Sequence, residues 1–250
     1  MTPAARERWQ VRLPVLAICA AAWILLVVDP GGAALHSHCA VTMSETAPLS
    51  LNALLALNPP ALLVAGWILM LAAMMAPLVI APVRFLHDRS LARRRTRAIA
   101  LFAAGYGLVW IAAGVVLLPM ALAIRLAAPA FAAVVLGFVV AILWQFSPVK
   151  QCCLNRCHAH PALAAFGPAA DAGAFRFGLT HGFWCAGACW ALMLLPMLIA
   201  RGHLAVMAAV TLWLFTERLD RPSPPRWNWR GPGKAMRIAY AQARMAFQRG

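Results

Sequence analysis

Two short segments of the chain hold most of the side chains that bind soft metals. Five of the seven cysteines lie between residues 152 and 189, within the sequences CCLNRC (152–157) and HGFWCAGAC (181–189). Thiolate sulfur and imidazole nitrogen are ligands for zinc, cuprous copper and iron–sulfur centres. These residues therefore predict either metal binding or thiol redox chemistry in this part of the chain.

The spacing of the second segment predicts a single stripe on a helix. His181, Cys185 and Cys189 are four residues apart, so on one helix they face the same neighbour. Met193 and Met197 continue this spacing with thioether sulfur, which also favours cuprous copper. Methionine at helical spacing is equally typical of packing, and that alternative stays open for these two residues.

The first segment contains a second pair of thiols at the same spacing. One helical turn would direct the sulfurs of Cys153 and Cys157 to one point. Two such pairs with one histidine are sufficient for a tetrahedral thiolate site, or for a cuprous site with fewer ligands. The predicted ligands are Cys153, Cys157, His181, Cys185 and Cys189, with Cys152 as an additional candidate.

Two further groups are weaker candidates for metal binding. Met70 and Met74 share a helical face, but methionine among alanines is also what close helix packing uses. His36, His38 and Cys39 form a short His-x-His-Cys motif in a loop, where such residues are often ordinary polar side chains.

The composition indicates that membrane helices position these side chains. The chain has 63% hydrophobic and 12% charged residues, whereas globular domains have about 25% charged residues. We predict an all-α polytopic membrane protein of about six transmembrane helices, most of them near the roughly 20 residues that cross a bilayer. The predicted spans lie near residues 13–28, 61–80, 98–120, 130–146, 178–200 and 203–216, the last being the weakest.

The basic residues predict how the spans are oriented. The chain has 22 Lys and Arg against 7 Asp and Glu, a formal net charge of +15. If all six runs cross, 20 of the 22 basic residues fall on one side, and only Arg125 and Arg201 fall on the other. The positive-inside rule then places both termini, and both cysteine pairs, at the cytoplasmic face. Nucleic acid is not a predicted partner, because topology accounts for the charge.

Residues 1–218 are predicted to form a single transmembrane domain, and residues 219–250 a basic, proline-rich cytoplasmic tail. Proline and glycine in the first part of the tail are typical of a linker. Residues 234–249 mix basic and apolar side chains, which is compatible with a loosely ordered tail or with a helix lying on anionic lipid.

The sequence resembles a family of bacterial integral membrane proteins known as a domain of unknown function and described as predicted metal-binding membrane proteins. The resemblance covers roughly residues 61–219 and is carried by segments 67–77, 148–157 and 181–193, with Glu217 and the basic residue after it. It implies metal binding, with copper often suggested and no established reaction. Family members commonly have a further cysteine at the position of Ala188, which favours Cys185 and Cys189 as the essential pair. They commonly have no cysteine at the position of Cys152, which leaves Cys152 as a substitute ligand or a bystander.

These observations predict a multi-pass protein of the bacterial inner membrane that binds a soft metal ion for delivery, buffering or transport. The methionines favour Cu(I), with zinc second. The predicted partners are the lipid bilayer and a metal-donor or metal-acceptor protein, and an enzyme activity is the less favoured interpretation. The spacing decides neither the direction of metal movement nor the oligomeric state.

Two other functions remain open. In the first, the cysteines serve a membrane thiol-disulfide oxidoreductase. Against it, neither pair has the Cys-x-x-Cys spacing of the common redox motif, and no outward-facing pair is predicted that could receive electrons. Alternatively, they hold a structural metal in a non-catalytic assembly subunit.

Overall fold

The structure, a computed structural model, describes residues 3–28, 59–199, 201–229, 231 and 233–247. Within these ranges the chain forms helices and no strand, so the all-α prediction is confirmed. A short 3-10 turn at Ala92–Arg94 precedes the third α-helix. The α-helices are α1 (Pro3–Val28), α2 (Pro60–Arg89), α3 (Arg95–Ala127), α4 (Ala130–Phe146), α5 (Pro148–Arg156), α6 (Gly167–Leu198), α7 (His203–Leu219) and α8 (Gly233–Phe247).

Several of these helices are long and apolar enough to cross a membrane. Helices α1, α2, α3 and α6 meet this condition individually, and α4 with α5 provides a fifth candidate if the bent pair is one span. Large apolar side chains such as Phe131 and Val115 are exposed on the outer surface, as expected for contact with lipid. Helix α7 has 17 residues, which corresponds to about 26 Å, and it is not among these candidates, so the sixth predicted span stays a prediction.

Helices α3 and α6 cross closely because each has a glycine at the crossing. A Cβ atom on Gly105 would lie 2.5 Å from the carbonyl oxygen of Phe175, and a Cβ atom on Gly178 would collide with the carbonyl oxygen of Phe102. Small residues let helix backbones approach in membrane proteins. This crossing fixes the helix that bears the predicted metal stripe against its largest neighbour.

The chain bends by 67° between α4 and α5. Pro148 has no amide hydrogen and disfavours helical geometry at the residue before it, so α4 ends at Phe146. Ser147 then caps the new helix, its hydroxyl accepting a hydrogen bond from the amide of Val149 at 3.1 Å. Helix α5 therefore runs across the end of the bundle instead of continuing α4.

Four helices extend beyond their predicted spans at the basic end of the bundle, and α1 does so by beginning at Pro3. Helix α2 continues to Arg89, α3 begins at Arg95 and α6 begins at Gly167. Asp171 on α6 accepts hydrogen bonds from Arg94 at 2.5 Å and Arg97 at 2.9 Å. The apolar runs in the sequence end at such charged residues. The helices continue past them, and Asp171 with its two arginine partners shows how these charges are paired.

The segment after α7 packs against α5 instead of projecting away from the bundle. The side chain of Gln151 donates to the carbonyl of Asn228 at 2.8 Å and accepts from the amide of Arg226 at 3.0 Å. Asn155, one turn further, makes the same pair of contacts with the backbone of Ser223. The residues predicted to be a linker are thus held on the outer face of the helix that carries the first cysteine pair.

Candidate metal centre

The stripe on α6 lies in the interior of the bundle. Cys185 and Cys189 have no exposed surface, and His181, Met193 and Met197 are also buried. Because α6 is helical throughout this region, the four-residue spacing gives the single face that the sequence predicts. The stripe thus presents one imidazole, two thiols and two thioethers in succession.

The pair on the short helix faces α6. The amide of Cys157 donates to the carbonyl of Cys153 at 3.1 Å, so the two residues are one helical turn apart. Cys153 packs against Gly187, where a Cβ atom would lie 2.9 Å from the Cys153 sulfur. Trp144, at the end of α4, donates to the carbonyl of Gly187 at 3.0 Å. The glycine between the two α6 cysteines therefore allows the α5 pair to approach them.

All four thiols belong to one buried cluster. Cys185 and Cys189 interact through a side-chain hydrogen bond, and Cys157 interacts electrostatically with both. Cys157 lies just beyond α5, and burial raises the pKa of its thiol. Because a cysteine binds a metal as the thiolate, this thiol must lose its proton when it binds one. Among the described residues, however, no group of three or more His, Cys, Asp or Glu side chains has a geometry that could hold a metal ion.

Two residues that are not among the predicted site residues contact the sulfur of Cys185. The guanidinium of Arg218 donates to the sulfur of Cys185 at 3.1 Å, and the hydroxyl of Tyr106 lies 3.4 Å from the same atom. Arg218 also interacts with Cys157 through a side-chain hydrogen bond. Arg218 stands at the end of α7 and thus reaches thiols on both sides of the site. The only sequence signal for it is the Glu217-Arg218 pair at the end of the last apolar run.

The residue beside Arg218 has a different partner. The carboxylate of Glu217 pairs with the ammonium of Lys150, with nitrogen–oxygen distances of 2.7 and 2.9 Å, and both side chains are buried. Gln145 bonds to both members of this pair, and the indole of Trp213 donates to Glu217 at 3.0 Å. This buried network joins α5 to α7. It positions the α5 cysteines relative to Arg218.

His181 retains an unused ligand atom. The ring is buried among Phe102, Tyr106 and Phe177, with centroid distances of 5.8 to 6.1 Å. Its Nε2 atom has no hydrogen-bond partner among the described residues. A buried polar atom without a partner is costly, and coordination to a metal one turn from Cys185 would satisfy it. This observation fits the predicted role of His181.

The predicted methionines lie in the same buried cluster as the thiols. Met70 and Met74 on α2 and Met193 and Met197 on α6 are all almost fully buried within it. The cluster therefore continues from the cysteines into the bundle as a region rich in thioethers. Packing and copper binding both remain compatible with this placement.

The remaining candidates are less informative. Cys152 is half-buried and adjoins the cluster through Cys153. His36, His38 and Cys39 lie outside the described residues, so their role stays a prediction.

Comparison with known protein families matches residues 64–239, more than two thirds of the chain, to the family described as "PpoB2: Copper chaperone". The chain belongs to this copper chaperone family. The matched region includes both cysteine pairs, His181, the four methionines and Arg218. No curated protein and no solved structure matches the chain. A copper-related function is therefore the one that family membership supports.

Proposed function

We propose that this protein is a membrane copper chaperone that binds Cu(I) through the cysteine pairs of α5 and α6. The observation that carries the proposal is the meeting of four thiols from two helices in one buried cluster. Membership of the copper chaperone family supports the same conclusion independently. Cysteine thiolates are ligands that Cu(I) prefers, and a buried site protects that ion from water.

The ligands have distinct roles in this proposal. Cys185 and Cys189 hold the ion, and Cys153 and Cys157 receive it from, or pass it to, a partner at the end of the bundle. His181 supplies a further ligand through its unpartnered Nε2 atom. The four buried methionines provide weaker thioether ligands along the bundle, which favours Cu(I) over Zn(II). Delivery, buffering and passage of the ion all use this arrangement.

The proposed location is the bacterial inner membrane, with the cysteines toward the cytoplasm. The asymmetry of 20 basic residues against two supports this orientation. The partner would then be a metal-donor or metal-acceptor protein that approaches the face bearing α5. A soft ion bound by thiolates can pass between such proteins by exchange of sulfur ligands.

Copper content of the purified protein tests this function. The full chain, in detergent and under reducing conditions, is loaded with Cu(I), desalted and assayed for copper and zinc. We expect about one copper per chain for the natural sequence and a large loss for the Cys185→Ser, Cys189→Ser double variant. Cys19→Ser is the matched control, because Cys19 is a thiol of α1 that donates to the carbonyl of Ala73 at 3.2 Å and is not a member of the buried cysteine cluster.

Three results would overturn the proposal or change its class. Unchanged copper content in the double variant would remove these cysteines from the site. Zinc that is stoichiometric, does not exchange and is required for folding would indicate a structural metal in an assembly subunit. A mixed disulfide trapped with a partner protein would instead favour thiol-disulfide exchange.

A further inference from the structure

The positive charge of Arg218 is placed directly against the thiols. Its guanidinium lies 3.1 Å from the sulfur of Cys185 and also bonds to Cys157. Cys185 has no exposed surface and Arg218 is half-buried, so the contact is partly shielded from solvent. An arginine cannot lose its proton in a protein, which makes this a permanent charge of +1.

Other charged groups near the cluster are already compensated or face outward. Lys150 and Glu217 form a buried ion pair and contribute no net charge. Arg156 is exposed, and its guanidinium lies over the ring of Trp184, 4.9 Å from the ring centre. Among these groups, Arg218 is therefore the one that contacts the thiols with an uncompensated charge.

We propose that Arg218 makes the site selective for a monovalent soft ion by balancing the charge of a two-thiolate complex. Two thiolates and Cu(I) together carry −1, and Arg218 brings the total to zero. Two thiolates and Zn(II) are already neutral, so the same arginine leaves an uncompensated charge of +1 beside the buried thiols. An uncompensated charge in a low-dielectric interior is strongly unfavourable. The charge of Arg218 therefore favours Cu(I) and opposes Zn(II).

The two-thiolate assumption follows from the geometry. The thiols of Cys185 and Cys189 interact directly, and the imidazole of His181 is a neutral ligand that would leave the charge of the complex unchanged. This inference rests on the proposed function, since it concerns the same site and the same ion. It adds a residue that determines which metal the site prefers.

Paired affinity measurements on Arg218 variants test the inference. Cu(I) affinity is measured on the detergent-purified full chain by competition with bicinchoninate, and Zn(II) affinity by competition with 4-(2-pyridylazo)resorcinol, both at pH 7. For Arg218→Gln we expect Cu(I) affinity to fall by at least about tenfold, equivalent to about 1.4 kcal/mol. We expect Zn(II) affinity to be unchanged or higher. Arg218→Lys, which keeps the charge, should retain most of the preference for Cu(I).

The opposite response of the two metals separates charge balance from damage to the fold. Arg237→Gln in α8 is the matched control, because Arg237 bonds to the carbonyl of Gly233 on its own helix. An equal fall in both affinities, or no change in either, would overturn the inference about Arg218 but not the proposed function. Failure of the natural protein to bind Cu(I) would instead overturn the proposed function. Size-exclusion profiles identify variants that have not folded, and Arg218→Lys then decides the result.

Discussion

The two cysteine pairs have the same spacing but are held in different ways. Cys185 and Cys189 lie within a helix of 32 residues and are fully buried. Cys153 and Cys157 lie at the end of a helix of nine residues, after a bend of 67°, and are 6% and 7% exposed. One pair is fixed by the backbone of a long helix. The other depends on contacts that a single substitution can remove.

Three kinds of contact keep α5 in place. The buried Lys150–Glu217 ion pair joins it to α7, and Gly187 leaves room for Cys153 against α6. Gln151 and Asn155 bind the backbone of the segment after α7. Because each of these contacts can be lost on its own, we expect α5 to yield more readily than α6. We expect α6 to hold the ion and α5 to control its exchange with a partner.

The largest expected effect comes from removing each pair in turn. Cys185→Ser with Cys189→Ser should abolish tight Cu(I) binding, because both ligands of the fixed half are lost. Cys153→Ser with Cys157→Ser should lower the affinity by about tenfold to a hundredfold, or roughly 1.4 to 2.7 kcal/mol, and should slow transfer to a chelator. Competition titrations and stopped-flow transfer measure the two quantities. Equal losses in both double variants would mean that the pairs act as one rigid site.

Breaking the ion pair of α5 should be the largest perturbation of stability. Lys150→Met leaves the buried carboxylate of Glu217 without its charged partner, and loss of one member of such a pair costs about 3–5 kcal/mol. We expect a lower thermal unfolding midpoint and a weakened contribution of Cys153 and Cys157 to copper binding. Adding Glu217→Leu should restore much of the stability, since apolar replacement of a whole buried pair is often neutral. A double variant as unstable as the single one would show that the network has another function.

The sequence predicted the stripe on α6 because its residues are local. A spacing of four within a long apolar run is sufficient to place His181, Cys185 and Cys189 on one face. The run 130–146 likewise coincides with α4, since Ser147-Pro148 ends a helix by simple stereochemistry. These parts of the fold require no knowledge of distant neighbours.

The contacts that complete the site were not predictable in this way. Glu217 and Arg218 are adjacent in the sequence, which does not indicate which partner each side chain contacts. Adjacent residues on a helix point in different directions. Glu217 accordingly contacts Lys150, and Arg218 contacts Cys185. These partners are 67 and 33 residues away. Only the packing of α5, α6 and α7 brings them together.

The smallest effect that separates the two pairs is steric. A Cβ atom on Gly187 would lie 2.9 Å from the sulfur of Cys153, whereas one on Gly107 would meet nothing within 4 Å. Both glycines lie inside long helices, where alanine is otherwise favoured by about 0.5–1 kcal/mol. Crowding costs about 1–3 kcal/mol, and the gain from alanine is common to both positions, so Gly187→Ala should be less stable than Gly107→Ala by roughly 1–3 kcal/mol.

The copper-binding result of Gly187→Ala distinguishes a movable α5 from a rigid one. If α5 yields, Cys153 moves away from α6 while Cys185 and Cys189 keep their places. Transfer of Cu(I) to a chelator should then slow about twofold to fivefold, with equilibrium affinity changed by less than about 1 kcal/mol. If α5 is instead as rigid as α6, the added methyl group must distort α6 itself, and affinity should fall as far as the transfer rate. Gly107→Ala should leave both quantities unchanged, because its methyl group enters open space on α3.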